Sequence, residues 1–493
     1  MNDLPRQKLR EIVARHGPSI VEDPRRCEGL LRDHLGAHRR EANVLAAALE
    51  ERVPQDILAA PAGSPRAALL ARLTRRLSDN LALAEEAARW AVGSWALALG
   101  SVTDEDLKGM EAGASEESDA PEPVVNAAAP AAVVVVAADG SGDYTSLAAA
   151  LKAIAPHGRV VVRPGSYEES IVVDAPVEIV GEGPRDAVVI VGADASCLRM
   201  EAGRARVAGL TLRGEARGDA AFFAVEVAGG ELVLEDCDIT STTLSCVGVH
   251  GESAAPVIRR CRVRDGADSG LYFFDGARGS VEDCEVFNNA NVGLAVTGGA
   301  DPSIIRCRIH DGVSAGVAVW QGGLGLLEGC EIYGNRMAGL GVSEGGRPTV
   351  RACLIREGGN TGVFIHHGGE ATLEDCELFG HRDAEAAVTT GGKLFLKNCR
   401  VHHGRGSGVV SAEGGGVLLQ GCAVSDNAAA GVRVGPGSTA ALLECHVNGN
   451  AGAGLSVADG GVVKAEDSDL TGNRLGAWDA EEGARIESER NLD

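Results

Sequence analysis

Large aromatic side chains are scarce in this sequence, at 3% of residues, and several of them recur at equivalent places of a repeat. They stand eleven and thirteen residues after regularly spaced cysteines, where the side chains of a β-strand should point outward: Tyr272, Phe274, Trp320, Phe364 and His366. Polar groups flank this row: Asp275, Gln321, Glu344 and His367. Exposed rings beside polar groups commonly bind sugars and peptides. We call these nine residues the candidate binding face.

A second row of large side chains stands three residues after the same cysteines. Its members are Phe287, His310, Tyr333, Arg356, Phe379 and His402. Either row has a structural alternative, because loops can cover such rings or the rings can stack on one another.

The sequence contains two sets of polar residues that could form a metal site, and both have weak support. Asp265, Asn288 and Asp311 stand at one repeat position, where their oxygens could bind a hard cation. Turn residues that bond their own backbone explain that pattern better. A further set falls at nearly one place on successive repeats: Glu357, His381 and His403. Zinc needs tighter convergence than this. We therefore expect no metal, no cofactor and no catalytic residue.

The elements that position these residues follow from a ladder of cysteines. The first gap in it is 24 residues and every later gap is 23, and Ser468 continues the series. The rungs are Cys237, Cys261, Cys284, Cys307, Cys330, Cys353, Cys376, Cys399, Cys422 and Cys445. A fixed period of this size is typical of a solenoid. The unit LLEGCEIYGNRMAGLGVSEGGRP (residues 326–348) reads as strand, turn, strand, turn, with no room for a helix.

Each unit cannot bury its apolar face alone, so the units should stack as coils of a parallel β-helix, ~4.8 Å apart. Five residues after most rungs the residue is Gly, Asn or His, which predicts a positive φ at that position. The rung thiols should point inward as small apolar core residues, reduced in a cytoplasmic compartment. Charges beside the rungs alternate in sign between coils, which predicts cross-strand ion pairs.

The repeat resembles that of the pectate-lyase-like superfamily of right-handed parallel β-helices, from about residue 133 to the C-terminus. The segment at residues 133–173 is similar to the N-terminal edge of pectin methylesterases and of non-enzymatic relatives, where a strand leads into a short capping helix. The resemblance implies the fold rather than an activity, since one fold serves many functions. The superfamily's catalytic motifs are not matched here.

Three segments follow from composition. In residues 1–103 apolar residues recur at helical spacing, with Pro and Gly where helices should begin and end. This predicts a four- or five-helix bundle with one helix over residues 38–58. Residues 104–132 are acidic and polar, predicting a disordered linker, and residues 133–493 form the β-helix. Residues 27–58 resemble a helical module of bacterial multidomain proteins, which implies an adaptor. The polar residues 479–493 should cap the open end.

The formal charge of −24 argues against binding to nucleic acid or to an anionic membrane. The first hypothesis is a non-catalytic recognition scaffold, with a protein or carbohydrate ligand on the solenoid face and a protein partner on the helical domain. The alternatives are a polysaccharide-active lyase, epimerase or esterase, and a self-assembling structural protein.

Overall fold

The computed structural model describes residues 3–17, 20–21, 24–34, 39–51, 53–59, 70, 73–74, 77, 85–102 and 133–493. The predicted linker at residues 104–132 lies outside them. The chain divides into two compact units, Met1–Ala127 and Ala128–Asp493.

The first unit is helical in the part of it that the structure describes. Its helices are Asp3–His16, Pro24–His34, Arg39–Glu50, Val53–Ala59 and Glu85–Ala98. They share a core around Trp95, whose Nε1 donates to the Leu45 carbonyl oxygen at 3.1 Å. The prediction of one helix over residues 38–58 is wrong. Pro54 has no N–H to donate and fits only the first turn of a helix, so a new helix begins at Val53. Among the described helices, none is both long and apolar enough to span a bilayer.

The second unit is a right-handed parallel β-helix of about 16 turns, as predicted. Sheet 1 contains Val133–Val136, Gly158–Val162, Val177–Gly181, Arg204–Ala208, Glu231–Glu235, Val257–Arg259, Ser280–Glu282, Ser303–Ile305, Leu326–Glu328, Thr349–Arg351, Glu370–Glu374, Lys393–Lys397, Gly416–Gln420, Thr439–Leu443, Val462–Glu466 and Arg485–Glu489. Sheet 2 contains Gly165–Glu168, Val188–Ala193, Thr211–Glu215, Asp238–Ser241, Arg262–Arg264, Glu285–Phe287, Arg308–His310, Glu331–Tyr333, Leu354–Arg356, Glu377–Phe379, Arg400–His402, Ala423–Ser425 and His446–Asn448. Sheet 3 contains Ile171–Val173, Leu198–Met200, Val225–Val227, Val247–His250, Leu271–Phe274, Leu294–Val296, Val317–Val319, Leu340–Val342, Val363–Ile365, Ala386–Val388, Val409–Ser411, Val432–Val434, Leu455–Val457 and Trp478–Ala480.

A short helix, Leu147–Ala153, follows the first strand, as the resemblance implied. Ser146 caps it, its side chain accepting from the Ala149 amide, and Glu169 accepts from the Leu147 and Ala148 amides at 2.9 Å. At the other end, the polar residues predicted to cap the β-helix form strands of sheets 1 and 3, so they extend the stack by a further coil.

The cysteine ladder lies inside the β-helix, between sheets 1 and 2. All ten rung thiols are buried and free, as predicted. The Cys330 amide donates to Cys353 Sγ at 3.3 Å, and Cys330 Sγ donates to the Ile304 carbonyl oxygen at 3.3 Å. Ser468 repeats the first contact, since its Oγ accepts from the Cys445 amide at 3.0 Å. Burial raises the pKa of the Cys261 thiol well above its ordinary value, so this thiol is uncharged.

The predicted site of positive φ is wrong by one residue. Positive φ occurs four residues after the rung, at 55° for Asp265 and 54° for Asp311. The fifth position points inward: Asn335 is 1% exposed, accepts from the Gly312 amide at 3.0 Å and donates to the Ile309 carbonyl oxygen at 3.2 Å. A Cβ added to Gly312 would lie 3.0 Å from Asn335 Oδ1. Gly312 therefore leaves room for the inward Asn335, whereas Asn427 and Asn450 occupy this position on consecutive coils, where Asn450 Oδ1 accepts from the Asn427 amide at 3.1 Å.

The alternating charges pair between neighbouring coils, as predicted. Arg306 Nε lies 2.8 Å from Asp283 Oδ1, and Arg351 Nε lies 3.0 Å from Glu374 Oε2. Three of these four side chains are exposed and Glu374 is half-buried, so each pair contributes about 0–1 kcal/mol and acts mainly on register.

Candidate functional site

The candidate binding face lies on the outer surface of sheet 3 and at the corner that follows it. Along the strand Leu271–Phe274, Leu271 and Phe273 are buried while Tyr272 and Phe274 are half-buried and point outward. Trp320, Phe364 and His366 stand at the same two offsets on later coils and are also half-buried. The period-2 alternation of a strand thus places all five rings on one face.

The rings form two clusters rather than one continuous row. In the first, the Tyr272 centroid lies 4.6 Å from that of Phe274 and 6.3 Å from that of Trp320. In the second, the Phe364 centroid lies 4.7 Å from that of His366. The coil between Trp320 and Phe364 carries only Gly341 and Ser343 at the outward positions.

Two aromatic residues of the first cluster were missed by the sequence analysis. His250 stacks on Phe274 with centroids 5.0 Å apart, and Phe223 lies 6.1 Å from Phe274. His250 stands thirteen residues after Cys237, so the offset rule could have found it. Phe223 precedes the regular ladder, and no repeat position marks it.

The gap between the two clusters is a groove of about 300 Å³. Trp320 and Phe364 line opposite ends of it along the stack, and His366 stands beside Phe364. Small residues form the floor: Ala318 and Gly341 of sheet 3, and Ser343 just after its strand. A Cβ added to Gly341 would meet no atom within 4 Å, so the groove reaches the backbone. Met337, Asn360 and Thr361 line it from the turn between sheets 2 and 3.

The flanking polar residues occupy equivalent corners of four coils, and Gly298 takes this place on the coil between Asp275 and Gln321. Asp275, Gln321, Glu344 and His367 all have positive φ, between 47° and 53°. The Glu344 amide donates to the His367 carbonyl oxygen at 3.1 Å, which holds these two corners together. Asp275 lies three coils from Glu344, about 14 Å at the usual strand spacing. The structure therefore brings Glu344 and His367 together at a corner that does not line the groove, and it leaves Asp275 apart.

His366 is the titratable group that lines the groove. Burial and the neighbouring His367 lower the pKa of His366 from its ordinary value near 6.5, while Glu344 opposes the shift. Its Nδ1 lies 2.6 Å from Nδ1 of His367, so one ring donates a hydrogen bond to the other. At neutral pH the His366 ring is therefore uncharged.

The second aromatic row forms its own stack on sheet 2. Ring centroids lie 5.4 Å apart for Phe287 and His310, and 4.6 Å apart for His310 and Tyr333. The Arg356 guanidinium lies 4.3 Å from the Tyr333 centroid. Near-parallel rings that cover one another support the structural alternative for this row.

The two candidate metal sets do not converge. Asp265 and Asp311 are corner residues that pair with Arg264 and His310, respectively. His381 is fully buried, whereas Glu357 and His403 are exposed. Across the described ranges, no three His, Cys, Asp or Glu side chains come close enough to hold a metal ion.

A family model described as "Right handed beta helix region" matches residues 217–305, 245–393 and 383–492. Among solved structures, the chain is similar to the catalytic domain of GH87 alpha-1,3-glucanase in complex with nigerose, at 12% identity, 75% of this chain, 70% of that chain and a TM-score of 0.44. The chain is also similar to the Azotobacter vinelandii mannuronan C-5 epimerase AlgE6 A-module, at 14% identity over 70% of this chain and 92% of that chain, with a TM-score of 0.38. Its similarity to pectate lyase Pel9A is 13% identity over 60% of this chain and 75% of that chain, with a TM-score of 0.33.

These similarities correct the functional hypothesis. The prediction of a non-catalytic recognition scaffold is wrong, because the similar structures are named as a glucanase, an epimerase and a lyase. The protein partner predicted for the helical domain gains no support from them. At these identities the likeness itself shows the fold, so the activity has to be argued from the groove.

Proposed function

Because this chain belongs to the right-handed beta helix family, we propose that it is a polysaccharide-active enzyme that binds a glycan in the groove of sheet 3. The observation that carries the proposal is the groove itself, with rings at both ends and a neutral histidine beside one of them. Concave sites with apolar walls and a few polar groups are typical of ligand binding.

The lining suits a sugar chain. The rings of Trp320 and Phe364 offer apolar surface to the C–H faces of pyranose rings. Ser343 and Asn360 offer hydroxyl and amide groups to sugar hydroxyls. Gly341 leaves the floor open, so a sugar ring can approach the strand backbone there.

His366 is the proposed general base. An uncharged imidazole can accept a proton from the water molecule that attacks the anomeric carbon, while the departing glycosidic oxygen takes a proton from solvent. The lowered pKa of His366 keeps the ring in that uncharged form. Glu344 at the adjacent corner favours the imidazolium that results. The base form of His366 is lost as the pH falls through its folded pKa. Because that pKa is lowered from the ordinary value near 6.5, activity should persist at pH 6.5 and decline only at a lower pH.

The test is product formation from α-1,3-glucan, alginate, mannuronan and pectate, followed by reducing-end assay and by proton NMR. We expect one of these polysaccharides to be converted, and we expect His366→Gln to reduce kcat by about 100-fold or more. His446→Gln, on an exposed histidine of sheet 2, is the matched control and should retain full activity. No conversion of any of the four by the wild type, or equal activity in both variants, would contradict the proposal.

A further inference from the structure

Resting on the proposed function, we infer that the groove selects uncharged glycans and rejects uronic acid polymers. The lining residues carry the inference. They comprise apolar side chains, small residues, the hydroxyl or amide groups of Ser314, Ser343, Asn360 and Thr361, and the ring of His366. No Asp, Glu, Lys or Arg of the described residues is among them. Arg336, next to Met337 in the chain, does not line the groove.

A uronate would bring one carboxylate per sugar into this site. A carboxylate that leaves water needs a cationic partner or several hydrogen-bond donors, and without them its transfer is strongly unfavourable. His366 cannot supply the charge, because the ring is neutral at neutral pH. Arg356, on sheet 2 of the same coil as Phe364, is engaged elsewhere, because it pairs with Glu331 at 2.7 Å and also with Glu357.

The surroundings add to the discrimination. Glu344 stands exposed at the corner beside the groove, and the whole chain carries a formal charge of −24. Both repel a polyanion during approach, most strongly at low ionic strength. An uncharged glycan meets neither penalty.

A neutral glycan, by contrast, finds partners for both of its surfaces. Its hydroxyl groups can bond Ser343 and the Asn360 amide, which Thr361 orients by donating from Oγ1 to Asn360 Oδ1 at 3.1 Å. Its C–H faces can rest on Trp320 and Phe364. The groove is thus complementary to rings and hydroxyls and has no feature complementary to a carboxylate.

Isothermal titration of the full chain with α-1,3-linked glucose oligosaccharides, xylo-oligosaccharides, oligogalacturonate and oligomannuronate tests the inference. We expect at least one neutral series to bind at least about tenfold tighter than either uronate at low salt. Gly341→Leu should weaken the neutral ligand at least about tenfold by filling the floor. Ser343→Lys should weaken the neutral ligand and strengthen uronate binding, because it places a cation in the groove.

Ser456→Leu and Ser456→Lys are the matched controls, since Ser456 is an outward position of sheet 3 four coils beyond Phe364. They should bind like the wild type, and melting curves of all four variants establish folding. Tighter wild-type binding to a uronate that Gly341→Leu abolishes would overturn the charge inference and leave the proposed site standing. Binding that neither groove substitution changes would overturn the site itself. Absence of binding by all four oligosaccharides would overturn both.

Discussion

One coil of the β-helix departs from the others in its interior. His381 and Glu385 take the places that Asn335 and Gly339 hold two coils earlier, five and nine residues after the rung. Both side chains are fully buried. The His381 amide donates to Glu385 Oε1 at 2.9 Å, and His381 Nδ1 bonds the other carboxylate oxygen. His381 Nε2 is buried with no hydrogen-bond partner.

The pair can be broken or replaced. Glu385→Gly alone leaves a buried histidine and a buried amide without the carboxylate, so unfolding of these coils should become easier by about 3–5 kcal/mol. The double variant His381→Asn, Glu385→Gly rebuilds the Asn335 arrangement. The new Asn would accept from the Gly358 amide and donate to the Ile355 carbonyl oxygen, as Asn335 does with Gly312 and Ile309. Replacing a buried, hydrogen-bonded pair of titratable side chains by a satisfied uncharged arrangement is often neutral or stabilising by about 1–4 kcal/mol.

Hydrogen–deuterium exchange followed by mass spectrometry measures this coil by coil, and thermal melting measures the whole β-helix. Stability of a solenoid is approximately a sum over neighbouring coils, so the effect should centre on residues 353–408. His446→Asn, at an exposed position, is the control. A Glu385→Gly variant as stable as the wild type would show that the pair contributes nothing. A double variant as weak as the single one would refute the account of Asn and Gly in the interior.

Two further predictions concern the cysteine ladder. Cys330→Ser should lower the stability of the β-helix only slightly, because Ser468 already makes the equivalent contact at its own position. Cys330→Asp should lower the melting temperature sharply, because it buries a carboxylate without a partner, which costs several kcal/mol of folding free energy. Equal melting temperatures for Cys330→Asp and the wild type would place that side chain outside the core. Alkylation of the native protein should label the ten rung thiols slowly, because all of them are buried. At Cys422, the hydrogen bond with Cys399 and burial also raise the pKa of the thiol to about 12, which disfavours the reactive thiolate. Rapid labelling of most of them, or disulfides between rungs, would contradict this.

The sequence by itself determined the β-helix and the inward ladder. Each coil repeats one pattern, so a period of 23 residues read from the cysteines states which residues stack, and strand alternation states which of them point outward. Tyr272, Phe274, Trp320, Phe364 and His366 were placed on one face by this rule alone. These properties depend only on the position of a residue within its coil, and the repeat period of the linear sequence shows that position.

Only the tertiary structure decided what happens between coils. The role of Asn335 depends on Gly312, which stands 23 residues away and presents its amide from the next coil. The groove depends on the missing side chain at Gly341 and on how the rings of Trp320 and Phe364 lie to either side of it. The lowering of the His366 pKa from its ordinary value depends on burial and on the groups beside it. A space and a local electrostatic environment belong to several coils together, and no single repeat of the sequence contains either one.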